Sequence, residues 1–153
     1  MKKRQDRTGH GSRRIGLDKG FIPAVVDDGD ELFANGIFVF NVSKMQKFLE
    51  ANPDTFPIEQ VEVEALRNCA SGRSDEETIR GADLSVPIIL AEISPGRFNV
   101  IDGNHRMERA GREGIKTIPV RRIRPAHHVA FLTSGKAYVA YVEYWNSKID
   151  EAA

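Results

Sequence analysis

Apolar and polar positions alternate along this chain with two periods, and the switches between them predict its elements. Leu32-Phe33-Ala34 and Ile37-Phe38-Val39-Phe40 flank Asn35-Gly36. That dipeptide is favoured in two-residue type I′ turns because both positions need positive φ, so a β-hairpin is predicted. Ser43, with Gln46 three residues on, reads as a capping box opening a short helix. Met45, Phe48 and Leu49 form its apolar stripe, and Asn52-Pro53 stops it. From Ile58 to Leu66 the pattern is that of a strand, with Glu59, Glu62 and Glu64 between or beside Ile58, Val61 and Val63.

Residues 67–74 read as a loop, and Ser74 with Glu77 as a second capping box, opening a helix that ends near Gly81. Val86 to Ile93 is an apolar strand, Ser94-Pro95-Gly96 a turn, and Arg97 to Ile101 the returning strand. A helix over residues 103–113, ended by Gly114, places Met107, Ala110, Gly111 and Gly114 on a core-facing side. Glu108–Arg112 and Arg109–Glu113 form i,i+4 pairs on the other. Thr117 to Ile123 is a further strand, and Tyr138, Tyr141, Val142, Trp145 and Ile149 fit a C-terminal helix docked on the core. Short strands alternating with short helices, and no internal repeat, predict an α+β fold around a small mixed sheet.

Composition narrows the class. With 153 residues, 41% hydrophobic and 29% charged, the chain is expected to form one domain over residues 21–153. Lys and Arg (22) balance Asp and Glu (22), but residues 1–20 carry seven basic residues against Asp6 and Asp18. That basic arm is expected to be disordered and to serve either as a contact for DNA, RNA or an acidic partner or as a solubilising tail. A lone Cys69 argues against a disulfide framework and fits a reducing cytoplasm. No apolar run is long enough for a membrane span or a secretion signal.

Chemistry concentrates at Asp102-Gly103-Asn104-His105-Arg106, where a strand passes through a sharp turn into a helix. Asp102 is placed to cap the helix, and Gly103 lets the turn tighten. The first helical N–H groups then stand beside His105 and Arg106 at the positive end of the helix dipole, an arrangement that accepts anions and phosphate in particular. Arg121, Arg122 and Arg124, with His127 and His128 beyond, form a basic cluster suited to a nucleic-acid backbone or to a solvated strand end. His127-His128 lacks the spacing of a metal site, and Thr133-Ser134-Gly135-Lys136 lacks the upstream glycine of a P-loop and reads as a helix start.

The order of these segments resembles the ParB/sulfiredoxin superfamily. The matching pieces are Val61 to Leu66, Pro87-Ile88-Ile89-Leu90, Val100-Ile101-Asp102-Gly103-Asn104-His105-Arg106, a helix carrying Ala110 and Gly114, and Ile118-Pro119-Val120. They cover residues 57–124, to which the hairpin and the C-terminal helix are additions. Sulfiredoxins place a nucleophilic Cys where this chain has Asn104, which argues against sulfinic-acid reduction. Chromosome-partitioning members carry Glu-Arg-Arg in place of Asn104-His105-Arg106 and append a helix-turn-helix region, which is not expected in the residues after 124 here, so a partition role is not expected either. The Asp-Gly-x-His-Arg form is closer to branches that bind or turn over nucleotides: free serine kinases, ParB-like nucleases, and the Osa-type plasmid fertility-inhibition proteins.

That resemblance implies binding of ATP or a related nucleotide, with Mg²⁺-dependent hydrolysis, DNA cleavage or both, in plasmid or phage conflict. A small-molecule kinase and a non-catalytic nucleotide- or DNA-binding module are the alternatives. Backbone N–H groups of Gly103, Asn104 and His105 would hold a phosphate, Arg106 would clamp it, and His105 would bond it or move a proton. Asp102 would position Mg²⁺, in competition with its use as a cap. Glu62 or Glu64, placed by alternation on one strand face, would be the base or a second metal ligand.

Overall fold

The computed structural model describes residues 13–67 and 79–152. Strands β1 (Leu32–Asn35) and β2 (Phe38–Asn41) form an antiparallel hairpin that leads into helix α1 (Val42–Ala51). Strand β3 (Glu59–Glu62) and the short helix α2 (Val63–Arg67) follow. Then come β4 (Ile88–Ser94), β5 (Arg97–Asp102), helix α3 (Asn104–Arg112) and β6 (Thr117–Ile123). Helix α4 (Pro125–His128), a 3₁₀ turn at Val129–Phe131 and helix α5 (Gly135–Ala152) complete the described chain.

The four longer-range strands form one mixed sheet in the order β3-β6-β4-β5. β6 runs parallel to β4, while β3 and β5 run antiparallel to their neighbours. All seven β4 residues are buried, because this strand is interior and both sheet faces are covered. Ile89, Ala91 and Ile93 meet the hairpin, α1 and α5 on one face. Ile88 and Leu90 meet α2 and α3, through Leu66, Met107 and Ala110, on the other. The α+β architecture expected from the segment order is the one observed.

Local chemistry departs from expectation at several points. In the hairpin, Asn35 pairs with Phe38 and the turn falls on Gly36-Ile37. Only Gly36 has positive φ (65°), as in a II′ rather than an I′ turn. The N-cap of α1 is Asn41, whose Oδ1 accepts the Lys44 N–H at 3.1 Å, and Ser43 instead accepts the Glu31 N–H through its Oγ. The strand expected from Ile58 to Leu66 ends at Glu62. Val63 and Leu66, three apart and both buried, turn the chain into α2, and Val63 N–H bonds the Lys116 carbonyl at 2.8 Å.

Gly114 is exposed with φ 72°, so it ends α3 rather than joining its core face. Both expected i,i+4 pairs of α3 are present, Arg109–Glu113 at 2.7 Å and Glu108–Arg112 at 3.9 Å. The Ser74–Glu77 capping box, and most of the loop expected over 67–74, lie outside the described residues.

Residues 13–20, expected to belong to a disordered arm, are instead held against α5. Trp145 Nε1 donates to the Arg13 carbonyl at 2.7 Å, and the Asn146 side chain both accepts the Ile15 N–H and donates to the Ile15 carbonyl. Tyr138 Oη accepts the Asp18 N–H at 2.8 Å, and Phe21 stacks on the Tyr138 ring with centroids 4.0 Å apart. The first part of the arm, residues 1–12, lies outside the described residues.

Candidate functional site

The turn between β5 and α3 is built around Gly103, whose φ of 112° and ψ of 16° lie in the left-handed region. A Cβ at this position would stand 2.5 Å from Ile88 Cγ1, so the chain passes too close to β4 for any side chain here. Gly103 is itself the N-cap of α3 and offers no side chain to close its first turn. Asp102 is therefore not the cap that the sequence suggested; it is the last residue of β5. The first intrahelical bond is donated by Met107 N–H to the Gly103 carbonyl at 2.9 Å, and the amides of His105 and Arg106 precede it.

The Asp102 carboxylate points inward, with its side chain 21% exposed. Arg106 Nη2 approaches its Oδ2 at 3.4 Å and Gln46 Nε2 donates to the same oxygen at 3.3 Å. Both nitrogens also donate to the Pro87 carbonyl at 3.3 Å. This knot ties α1, β5, α3 and the residue before β4 together. Burial pushes the Asp102 carboxyl above its ordinary value; Arg106 opposes that, and the negative charge of Glu31 adds to it. Arg106 Nε and Gln46 Oε1 are buried without hydrogen-bond partners.

A cavity of about 410 Å³ opens at the start of α3. Asp102, Gly103, Asn104 and His105 line one side, and Glu31, Leu32, Phe33 and Ala34 of the hairpin line the other. Asn104 directs its side-chain amide back to the Val100 carbonyl at 3.2 Å. The mouth thus combines helix amides, an imidazole, two carboxylates and an apolar wall with Phe33 in it. Chemically this suits a ligand with an anionic end and a flat or apolar body.

A buried carboxylate whose proton affinity is raised beside a second acidic side chain is a donor set that a divalent cation relieves, and Mg²⁺ takes one or two protein carboxylates plus phosphate and water. Asp102 fits that use through Oδ1, since both side-chain contacts fall on Oδ2. Among the described residues no group of three or more His, Cys, Asp or Glu is arranged to hold a metal unaided.

The remaining sequence candidates lie elsewhere. Glu62 and Glu64 line a cleft with Gly111, Gly114 and Lys116 at the far end of α3, so the structure does not bring them to the turn. Nor do they share a strand face, because Glu64 is in α2, where it faces Arg67 at 4.0 Å. The basic cluster is split by the strand's alternation. Arg121 is buried and donates through Nε to the Phe56 carbonyl at 3.0 Å. Arg122 and Arg124 both lie over the Phe98 ring, at 4.8 and 5.2 Å, and face Glu59 and Glu92 respectively. Glu31 and Gln46 were missed. Nothing local marks Glu31 as a site residue, and the apparent capping box had already accounted for Gln46.

No helix among the described residues is long and apolar enough to cross a membrane. No curated protein and no solved structure matches the chain significantly. The sequence does match the family model of the ParB N-terminal domain over residues 51–133, a span that takes in the whole four-stranded sheet, the Gly103 turn and α3. The match covers more than half of the chain, which belongs to the ParB N-terminal domain family and so to a class of modules that engage DNA or nucleotide.

Proposed function

We propose that this protein binds a Mg²⁺–nucleoside triphosphate in the cavity at the start of α3 and hydrolyses it there. The observation that supports this reading is the α3 N-terminus, capped only by a left-handed glycine and opening into a cavity that His105, Asp102 and Glu31 share. A phosphate group takes the amides of His105 and Arg106, and the helix dipole favours its charge. The His105 imidazole bonds a phosphate oxygen, while Leu32, Phe33 and Ala34 receive the nucleoside.

Arg106 acts as a positioning residue: with Gln46 it fixes the Asp102 carboxylate instead of clamping phosphate directly. Bound Mg²⁺ would be held by Asp102 Oδ1 and Glu31 and would supply charge neutralisation at the phosphates. His105 is the group placed to move a proton to or from the attacking water.

DNA is a second partner, favoured by the pairing of Arg122 and Arg124 over Phe98. Two guanidinium groups held on one ring suit phosphate contact, and Arg121 takes no part.

Phosphate release from ATP and from the other ribonucleoside triphosphates, each with Mg²⁺, tests the reading. Turnover is expected to fall at least ~10-fold in His105→Ala and Glu31→Gln, about the effect of losing one charged contact or proton-transfer group. It should be unchanged in Glu62→Gln and Glu64→Gln. Turnover that depends on Glu62 or Glu64 and ignores His105 would overturn the assignment of the site.

A further inference from the structure

A second cavity, of about 490 Å³, lies between the segment of residues 13–18 and helix α5, and shares no lining residue with the α3 turn. Its apolar walls come from Ile15 on the segment, Val129 in the 3₁₀ turn, and Tyr138 and Trp145 on α5. The polar atoms of both aromatics are already engaged by backbone: Trp145 Nε1 by the Arg13 carbonyl and Tyr138 Oη by the Asp18 amide. Both rings are almost fully buried, and they form a fixed apolar floor to a space the size of a small-molecule site.

The charges on the wall then decide the ligand. Arg14 pairs with Asp150, and Arg124 faces the almost fully buried Glu92 at 3.4 Å, with its Nε buried and without a hydrogen-bond acceptor. Asp18 turns Oδ1 onto the Gly20 amide at 2.8 Å. Arg13 has no ion pair among the described residues, although its carbonyl is fixed by Trp145. An apolar slot with a spare guanidinium at its mouth complements an anionic head on an apolar body.

We infer that this cavity is a second ligand site, for a small apolar carboxylic acid. The acid's hydrocarbon part lies between Ile15, Val129, Tyr138 and Trp145, and its carboxylate takes the Arg13 guanidinium. Because the segment forms one wall and α5 the other, the bound acid ties the two together.

Trp145 is the chain's single tryptophan, so its fluorescence reports on this cavity directly. Titration of the full chain with 4-methylpentanoate should give a saturable change, with the corresponding alcohol and amine binding ~10-fold more weakly or not at all, as expected for loss of a charge-assisted contact. Arg13→Gln should weaken the acid by a similar ~10-fold and leave the alcohol unchanged. Val129→Phe, which fills the slot, should abolish the change while far-UV circular dichroism stays native; if that variant misfolds, Arg13→Gln carries the test alone. His105→Ala should bind the acid as well as the parent does. No saturation at millimolar acid, equal response to acid and amine, or unaltered binding in Arg13→Gln would each overturn the inference.

Discussion

Arg106 reaches back across the first turn of α3 to stand 3.4 Å from Asp102, which fixes the carboxylate at the end of β5 against the helix that follows it. The pair is largely enclosed, with Arg106 16% and Asp102 21% exposed. Arg106→Ala leaves a carboxylate with reduced compensation in a poorly hydrated place. It is expected to lower stability by about 1–3 kcal/mol in urea unfolding. The same pair sets a pH dependence. Burial raises the Asp102 carboxyl in the folded state, so the folded protein holds that proton more tightly than the unfolded chain does. This contribution is full below the ordinary carboxylate range and is lost as pH rises through the folded value. Parent stability minus that of Asp102→Asn should therefore fall as pH rises through that window.

Gly103→Ala combines a left-handed backbone with a methyl group 2.5 Å from Ile88 Cγ1. Left-handed strain alone costs about 1–2 kcal/mol, and the clash with β4 adds to it. The variant should unfold at clearly lower urea and, where folded, should bind nucleotide more weakly, because the turn that aims the α3 amides has moved. Gly114→Ala is the control, with positive φ but open space around it. It should destabilise the protein less and leave nucleotide binding intact.

His128 is fully buried, with Nε2 2.7 Å from the Glu92 carbonyl and Nδ1 without a hydrogen-bond partner. The short contact makes Nε2 the protonated nitrogen, and a second proton on Nδ1 would find no acceptor. Burial brings its pKa down to about 4 from the ordinary 6.5. Between those values the unfolded chain binds the proton and the folded one does not, so stability falls as pH falls. The interval corresponds to about 3 kcal/mol. Urea midpoints at pH 7 and pH 5 should differ markedly in the parent and much less in His128→Gln.

On the sheet face, Arg121 and Arg122 are adjacent in sequence and opposite in role. Arg121→Ala leaves the Phe56 carbonyl unpaired and is expected to cost about 1–3 kcal/mol of stability without changing the salt dependence of DNA binding. Arg122→Ala breaks a half-exposed pair with Glu59, for which a loss of about 0–1 kcal/mol is expected. It should lower the slope of log affinity against log salt by about one, the effect of one phosphate contact. Filter binding over a salt series separates the two.

The sheet strands and the turn were legible because periodicity survives folding: Ile88 to Ala91 is an unbroken apolar run since both faces of β4 are covered. Gly103 was legible because glycine before a helix in this pattern has few other uses. What escaped was decided by distance in space. Glu62 and Glu64 share a pattern with a strand, but Leu66 falls three residues after Val63, so the chain coils there and carries Glu64 to the far end of α3. Residues 13–20 look solvated by composition, yet three α5 side chains take up their backbone groups. Glu31 joins the site only because the hairpin folds over β5, a relationship between residues some 70 apart that no local signal carries.

The central claim is that the α3 N-terminus is the nucleotide site, and amide chemical shifts test it most directly. In a ¹⁵N–¹H titration with a Mg²⁺–nucleoside triphosphate, the largest shifts should fall on Gly103, His105 and Arg106 and on Leu32 to Ala34, and His105→Ala should reduce them. Shifts centred on the Glu62–Glu64 cleft, or on Arg122 and Phe98 alone, would contradict the account.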